Sequence, residues 1–356
     1  MQQKPSTSEL ALPPTIGGEA IIGAPGDAVR SARLTPFKIA SIILFVAALL
    51  APFFFKNFVV FQLTLVMIYA IAILGLNLLT GVNGQFSLGH SAFYGIGAYT
   101  TAIMMEQMGI GYVWTLPVAG LVCFVFGFLF GLPALRLEGH YLALATFALA
   151  ITMPQLLKFS PLEHWTGGVQ GIVLTKPEAP DAIAAVAAVF GRKISSDQWL
   201  YFVTLITLLI MFWLASNLVR SRTGRALMAI RDNPIAARSM GVNIALYKSL
   251  AFGTSALFTG IAGALGAIVV AFVAPDSFTV QLSIALLVGL VVGGVGSIPG
   301  CLFGGLFVLF VPNIAESISK GLAGAFYGVI LLLLIYVMPS GAAGFVKMVA
   351  ARLTRK

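Results

Sequence analysis

The polar side chains of this chain gather in two places. The first is GVNGQFSLGHSAFYGIGAYT, residues 81–100, where Asn83, Gln85, Ser87, His90 and Ser91 stand among Gly81, Gly84, Gly89, Gly95 and Gly97. Amides, hydroxyls and an imidazole in this pattern offer hydrogen bonds, and the glycines let backbones approach closely. Irregular backbone at membrane depth is tolerable only against protein or beside a water-filled cavity, so the stretch is a candidate pathway wall. The same glycines also suit tight helix packing, and both readings stand.

The second place is RSRTGRALMAIRDNPIAARSMGVNIALYK, residues 220–248, which carries Arg220, Arg222, Arg225, Arg231, Arg238 and Lys248. A basic island in apolar sequence predicts a cytoplasmic loop, because positive charge is retained on that side. It also has helix signals. Thr223–Ile230 predicts a short helix, Asn233 a cap for the next one, Pro234 its first position and Gly241 its left-handed end. A structured loop suggests a docking element for something outside the membrane; a basic loop that merely obeys topology is the competing reading.

Other chemistries are not encoded. The chain has no GxxxxGK[ST], hence no P-loop ATPase site of its own, and neither HExxH nor CxxC. His90, His140 and His164 lie in separate segments, which argues against a metal centre. Cys123 and Cys301 sit in apolar sequence and read as small buried hydrophobes. Ionisable residues are nearly absent from the apolar runs, which argues against a proton-relay pump; Glu106 and Glu316 fall near span ends. His140 borders a turn that Arg136 and Glu138 keep wet.

The elements that must position these groups are membrane helices. Of 356 residues, 59% are hydrophobic and only 9% charged, and the mean hydropathy is +0.99; a soluble domain carries about 25% charged residues. The reading is an all-α polytopic membrane protein with about ten transmembrane helices of spanning length and glycine-broken segments near 81–90 and 293–300. Spans are expected at about 39–55, 59–80, through the glycine-rich stretch to Met105, then 113–135, 141–157, 200–218, 249–271, 280–295, 302–314 and 322–338. Residues 1–36 read as a flexible cytoplasmic lead, 37–340 as the membrane domain with an external loop at 158–198 and the basic loop at 220–248, and 341–356 as a basic cytoplasmic tail. In the external loop, 165–171 reads as a glycine turn and 181–190 as a short amphipathic helix; Pro275, Asp276 and Ser277 form a further external turn. The face Gly253, Gly260, Gly263, Gly266 predicts close helix contact. The net charge of +9 lies mostly in segments assigned inside, which puts both termini in the cytoplasm.

A faint internal echo links the halves. Each has a glycine-broken segment after a long span, 81–89 and 293–300, and paired interruptions of this kind point to a transport site.

Four blocks together, in order, resemble the LivM-type membrane permeases of ABC importers for branched-chain amino acids: 75–99, 135–146 with 165–172, 224–243 followed by Tyr247–Lys248, and 271–278 with 293–300. The resemblance covers about residues 40–340. It implies a transport subunit of the bacterial inner membrane, with no enzyme activity of its own. It also implies a second related permease, two cytoplasmic ATPase subunits that use ATP and Mg2+, an extracytoplasmic solute-binding protein, and a small amino acid as substrate; no cofactor belongs to this chain. On this resemblance Asn77, Asn83, Gln85, Ser87 and His90 are candidates for lining or gating the translocation pathway. Arg225, Arg231, Asp232 and Arg238 are candidates for the ATPase-coupling element, as contacts or structural pairs.

Two departures bear on these expectations. Asn233–Pro234 stands where relatives carry an acidic residue and a non-proline, which predicts a later start for the coupling helix. FALAITMPQ after Thr146 lacks a carboxylate found nearby in the family, which weakens a tight amine site there. The alternatives are a urea or short-amide ABC permease, an ATP-independent channel or secondary carrier, and a non-transporting membrane scaffold.

Overall fold

The computed structural model describes residues 36–134, 137, 139–180, 194–318 and 322–354. It divides into two units, Met1–Ala47 and Ala48–Lys356, and all the candidate site residues lie in the second. Arg136, Glu138, the helix expected at 181–190 and most of the lead at 1–36 fall outside the described residues.

Helices α1 (Pro36–Phe54), α2 (Asn57–Asn77), α3 (His90–Glu106), α4 (Tyr112–Ala134) and α5 (His140–Leu157) form the first half. Then come α6 (Ser196–Arg220), α7 (Arg222–Asp232), α8 (Pro234–Ser239), α9 (Ile244–Val270), α10 (Val280–Gly293), α11 (Gly300–Ile318), α12 (Ala323–Val337) and α13 (Gly341–Thr354). Among the described residues the only sheet is a two-stranded antiparallel ribbon, β1 (Ile172–Val173) with β2 (Phe272–Val273). α13 carries Lys347 and Arg352 of the basic C-terminal segment.

Helices α2 and α9 form the centre. α2 is apolar on every side and buries Ile68, Ile71, Ile73, Leu74 and Leu76 completely, as a helix hydrophobic all round must. α9 packs against α2, α3 and α4 along its glycine face. A Cβ at Gly260 would meet the Cys123 side chain of α4, and one at Gly263 or Gly266 would meet Tyr94 of α3. Small residues at these crossings let backbones touch, which is how apolar helices gain packing where lipid gives no hydrophobic drive. Outward, α4, α5 and α6 present Trp114, Leu121, Leu129, Leu144, Ile206 and Trp213. On the far side of α9 from the basic loop, the ribbon is reinforced by Lys158 Nζ–Asp276 Oδ1 at 2.6 Å.

The expected span count is not reached. Among the described residues seven helical segments are long and apolar enough to cross a membrane: Asn57–Val82, Tyr112–Pro133, His140–Leu157, Ser196–Arg220, Ile244–Val270, Pro275–Gly293 and Gly300–Ser317. The glycine break delays α3 until His90, leaving it 17 residues that include His90, Ser91 and Glu106; α12 has 15 residues, and within α1 the stretch Phe45–Phe54 is apolar.

Candidate functional site

α2 does not end as an ordinary helix. Its last turn widens into a π-turn, Leu78–Val82, and π-turns concentrate at functional positions. Beyond it, residues 83–89 run without regular structure to α3. Gly84 takes φ +75°, a left-handed conformation that favours glycine, and the Arg231 side chain lies against it.

The five pathway candidates all lie on or beside this break, and all are buried. Ser87 and His90 belong to one relay. Gly89 N–H donates to Ser87 Oγ at 3.3 Å, and Ser87 Oγ lies 3.0 Å from His90 Nδ1. On the other side His90 Nε2 lies 2.7 Å from Ser255 Oγ of α9, which donates to Gly75 O at 2.6 Å. The carbonyl only accepts, so the single Ser255 proton points to Gly75. His90 therefore donates from Nε2, and Nδ1 accepts from Ser87. One imidazole thus ties the break to both central helices.

Asn77 is satisfied by the other half of the chain. Its Oδ1 accepts from Gly296 N–H at 2.8 Å and its Nδ2 donates to Ser297 O at 3.1 Å. These partners belong to the second break, 293–300, where Gly294 and Gly296 take φ +109° and +80°. Gly81 presses on the same place: a Cβ there would lie 2.6 Å from Gly296 N. The two glycine interruptions therefore meet, joined through a side chain on one and backbone on the other.

Asn83 Nδ2 donates to Gln85 Oε1 at 2.7 Å, and Gln85 O accepts from Thr80 Oγ1 at 3.0 Å. Asn83 Oδ1 and Ser297 Oγ are buried without partners. Leaving such atoms unpaired costs about 1–3 kcal/mol each. Beside the break, an open recess of about 400 Å³ is lined by Leu88 with His140, Ala143, Leu144 and Phe147. Thr146 of α5 secures this edge by accepting from Leu88 N–H at 3.0 Å.

The basic segment folds as a helix pair. Ser221 caps α7, accepting from Gly224 N–H at 3.2 Å. Gly224, Leu227 and Ile230 form its buried face, three residues apart as neighbours on a helix must be. Asn233 ends α7 and caps α8, its Oδ1 accepting from Ile235 and Ala236 N–H at 3.1 and 3.0 Å. Pro234 takes the first position of α8, and Gly241 closes it at φ +82°.

All four coupling candidates are exposed. Arg225 Nη1 donates to Arg220 O at 3.1 Å. Arg231, its side chain 42% exposed, also reaches the first break: Nη1 donates to Gly81 O at 2.9 Å, while Nη2 lies 3.0 Å from Asp232 Oδ1.

Several residues here were not legible as site residues. Ser255, Gly75 and Thr146 act through contacts across long sequence separations; small residues within apolar helices were their only signal. Ile235 and Met240, 78% and 85% exposed, form an apolar knuckle among the arginines that sequence reasoning passed over. Among the described residues no group of three or more His, Cys, Asp or Glu could hold a metal. The arrangement gathers buried hydrogen-bonding groups at the two breaks and exposed arginines and apolar side chains on α7–α8.

A sequence model for the permease component of branched-chain amino acid transport systems matches residues 58–338. The chain is 36% identical over 272 residues to the Escherichia coli high-affinity branched-chain amino acid transport system permease protein LivM, covering 73% of this chain and 64% of that protein. It thus spans a little under two thirds of that relative's length. It is 27% identical over 289 residues to the corresponding Salmonella typhimurium protein LivH, covering 78% of this chain and 91% of the relative. A probable LivM permease from Methanocaldococcus jannaschii is 26% identical over 298 residues, with 78% and 82% covered. No solved structure matches the chain.

Proposed function

This chain belongs to the permease-component family of branched-chain amino acid transport systems, and from that premise we propose that it is the membrane subunit of an ABC importer for branched-chain or other apolar amino acids. It pairs with a second, related permease. Two cytoplasmic ATPase subunits supply the energy from ATP and Mg2+, and an extracytoplasmic binding protein delivers the solute.

The observation that carries this reading is the capped helix pair α7–α8. It presents Arg225, Arg238, Ile235 and Met240 outward while its apolar face is seated in the membrane unit. An arginine offers planar, multi-donor contacts to a partner's carboxylates or carbonyls, and exposed apolar residues among them suit a protein surface. A capped pair transmits displacement better than a loose loop, and Arg225, Arg231, Asp232 and Arg238 serve it as contacts or structural pairs.

In this reading about ten segments cross the inner membrane, with α1, α3 and α12 added to the seven long ones. Both termini and α7–α8 then face the cytoplasm, in keeping with the positive-inside rule. Asn77, Asn83, Gln85, Ser87 and His90 gate or line the route. Their hydrogen bonds hold it shut, and the unpartnered Asn83 Oδ1 and Ser297 Oγ gain partners when it opens.

The test is reconstitution. The complex purified from native membranes should contain a second permease and two ATPase chains. In proteoliposomes it should take up leucine only with ATP and a binding protein. Recovery of this chain alone, with flux indifferent to ATP, would return the reading to a channel or carrier.

A further inference from the structure

We infer that Arg231 is a positioning residue that fastens the α7–α8 element to both glycine breaks, so that displacement of that element moves them as one body. The inference rests on the importer reading and gives Arg231 an internal task in place of a partner contact.

Three contacts define the fastening. Nη1 donates to Gly81 O at 2.9 Å, at the C-terminal end of the π-turn. Carbonyls at a helix end lack intrahelical partners and carry partial negative charge, so a guanidinium is well matched to them. The stem of Arg231 lies over Gly84, where an added Cβ would come within 2.6 Å of its Cγ. Nε and Nη2 lie 3.1 and 3.0 Å from Asp232 Oδ1, which holds the planar group in one orientation. Arginine can serve both partners at once through its fixed fork; lysine, with a single nitrogen, cannot reproduce that geometry.

The connection continues beyond Gly81. One turn back on the same helix, Asn77 holds Gly296 N–H and Ser297 O, and Gly81 itself touches the Gly296 backbone without room for a side chain. The sequence of contacts is therefore α7, Arg231, the π-turn, Asn77 and the second break. Buried Leu227 and Ile230 seat α7 but make none of these polar bonds. Arg231 alone among the four coupling candidates bonds to the break.

The experiment uses the whole complex in proteoliposomes, with leucine presented by its binding protein, and reads leucine taken up per ATP hydrolysed. Arg231→Met keeps a stem over Gly84 and removes the guanidinium. Assembly and ATP hydrolysis should persist while the uptake-to-hydrolysis ratio falls about tenfold, in the range of ordinary coupling energies; Arg231→Lys should fall between. A covalent tie should then replace the lost one. A Cβ at position 84 would lie 3.4 Å from Arg231 Cβ, close to the spacing of a disulfide. The Gly84→Cys, Arg231→Cys pair should be uncoupled when reduced and recover its ratio on oxidation. A wild-type ratio in Arg231→Met, or loss of uptake when the disulfide closes, would overturn the inference. So would joint loss of assembly and hydrolysis in Arg231→Met that Arg231→Lys does not relieve, the mark of a merely structural residue. A wild-type complex whose uptake ignores ATP would sink the importer reading along with this one, whereas a coupled wild type with an unaffected Arg231→Met sinks this one alone.

Discussion

The breaks at 81–89 and 293–300 both interrupt apolar helices with glycine, but they bring different groups to their meeting point. The first brings side chains: Asn77 from the turn before it, then Asn83, Gln85, Ser87 and His90, all buried. The second contributes Gly296 N–H and Ser297 O from its backbone. An amide matches a peptide group in both directions, donating and accepting at once, so one asparagine can close the junction. The difference teaches that the two are complementary halves of one joint rather than two copies of a site. It also gives them unequal access to the outside, since Arg231 reaches the first break directly.

The most damaging way to break the comparison is to give the first break a side chain where it meets the second. At Gly81 a Cβ would stand 2.6 Å from Gly296 N and 2.9 Å from its Cα. Backbone cannot rotate away as a side chain can, so Gly81→Leu should destabilise by on the order of 4 kcal/mol. The readout is thermal unfolding of the detergent-purified complex. Gly324→Leu, where an added Cβ meets no atom within 4 Å, is the control and should melt as wild type. Next comes Asn77→Leu, similar in size but unable to bond. It strands Gly296 N–H and Ser297 O, which should cost about 3 kcal/mol in the same assay. Asn77→Asp keeps the acceptor for Gly296 and should recover part of that loss. Equal melting of the Leu and Asp variants would show that the amide does not join the breaks.

A smaller effect is expected where the first break meets α9. Ser255→Ala removes the acceptor for His90 Nε2–H and the donor to Gly75 O, and should cost about 1–2 kcal/mol. Ser255→Thr keeps the hydroxyl and should restore most of it. An Ala variant as stable as wild type would mean that His90 finds another acceptor.

The contrast also explains what sequence could and could not reveal. Both breaks were legible because glycine and proline punctuate apolar runs. The α7–α8 pair was legible from Asn233, Pro234 and Gly241, whose cap roles are local. The faint echo between the breaks gave no sign that they touch, because pairing between residues 77 and 296 leaves no local pattern. Arg231 resembled Arg225 and Arg238 in type and setting; its position around α7 separates it from Arg225, and Arg238 stands on α8. The span count was legible in part, because hydropathy registers the apolar run, whereas the length of α3 depends on where the π-turn and the glycine break let it begin.

The smallest effect on stability should come from the charge that lies nearest to the first break's outer connection without touching it. Arg225 is exposed, and among the described residues its side chain bonds only to Arg220 O, so Arg225→Glu should leave the melting of the permease within about 0.5 kcal/mol of wild type. It stands on α7, less than two turns from Arg231, and on the outward side rather than on the face of Leu227 and Ile230. If force enters the joint through the first break, reversing this charge should weaken capture of the ATPase subunits, by roughly tenfold for a lost charged contact at an interface. The ratio of uptake to hydrolysis in complexes that do assemble should stay near wild type. That is the reverse of the expectation for Arg231→Met, where assembly survives and the ratio falls. The paired measurement therefore separates docking from transmission along one short helix. Intact capture and stimulated hydrolysis in Arg225→Glu would place docking elsewhere, and α7 would then serve the first break only as a brace.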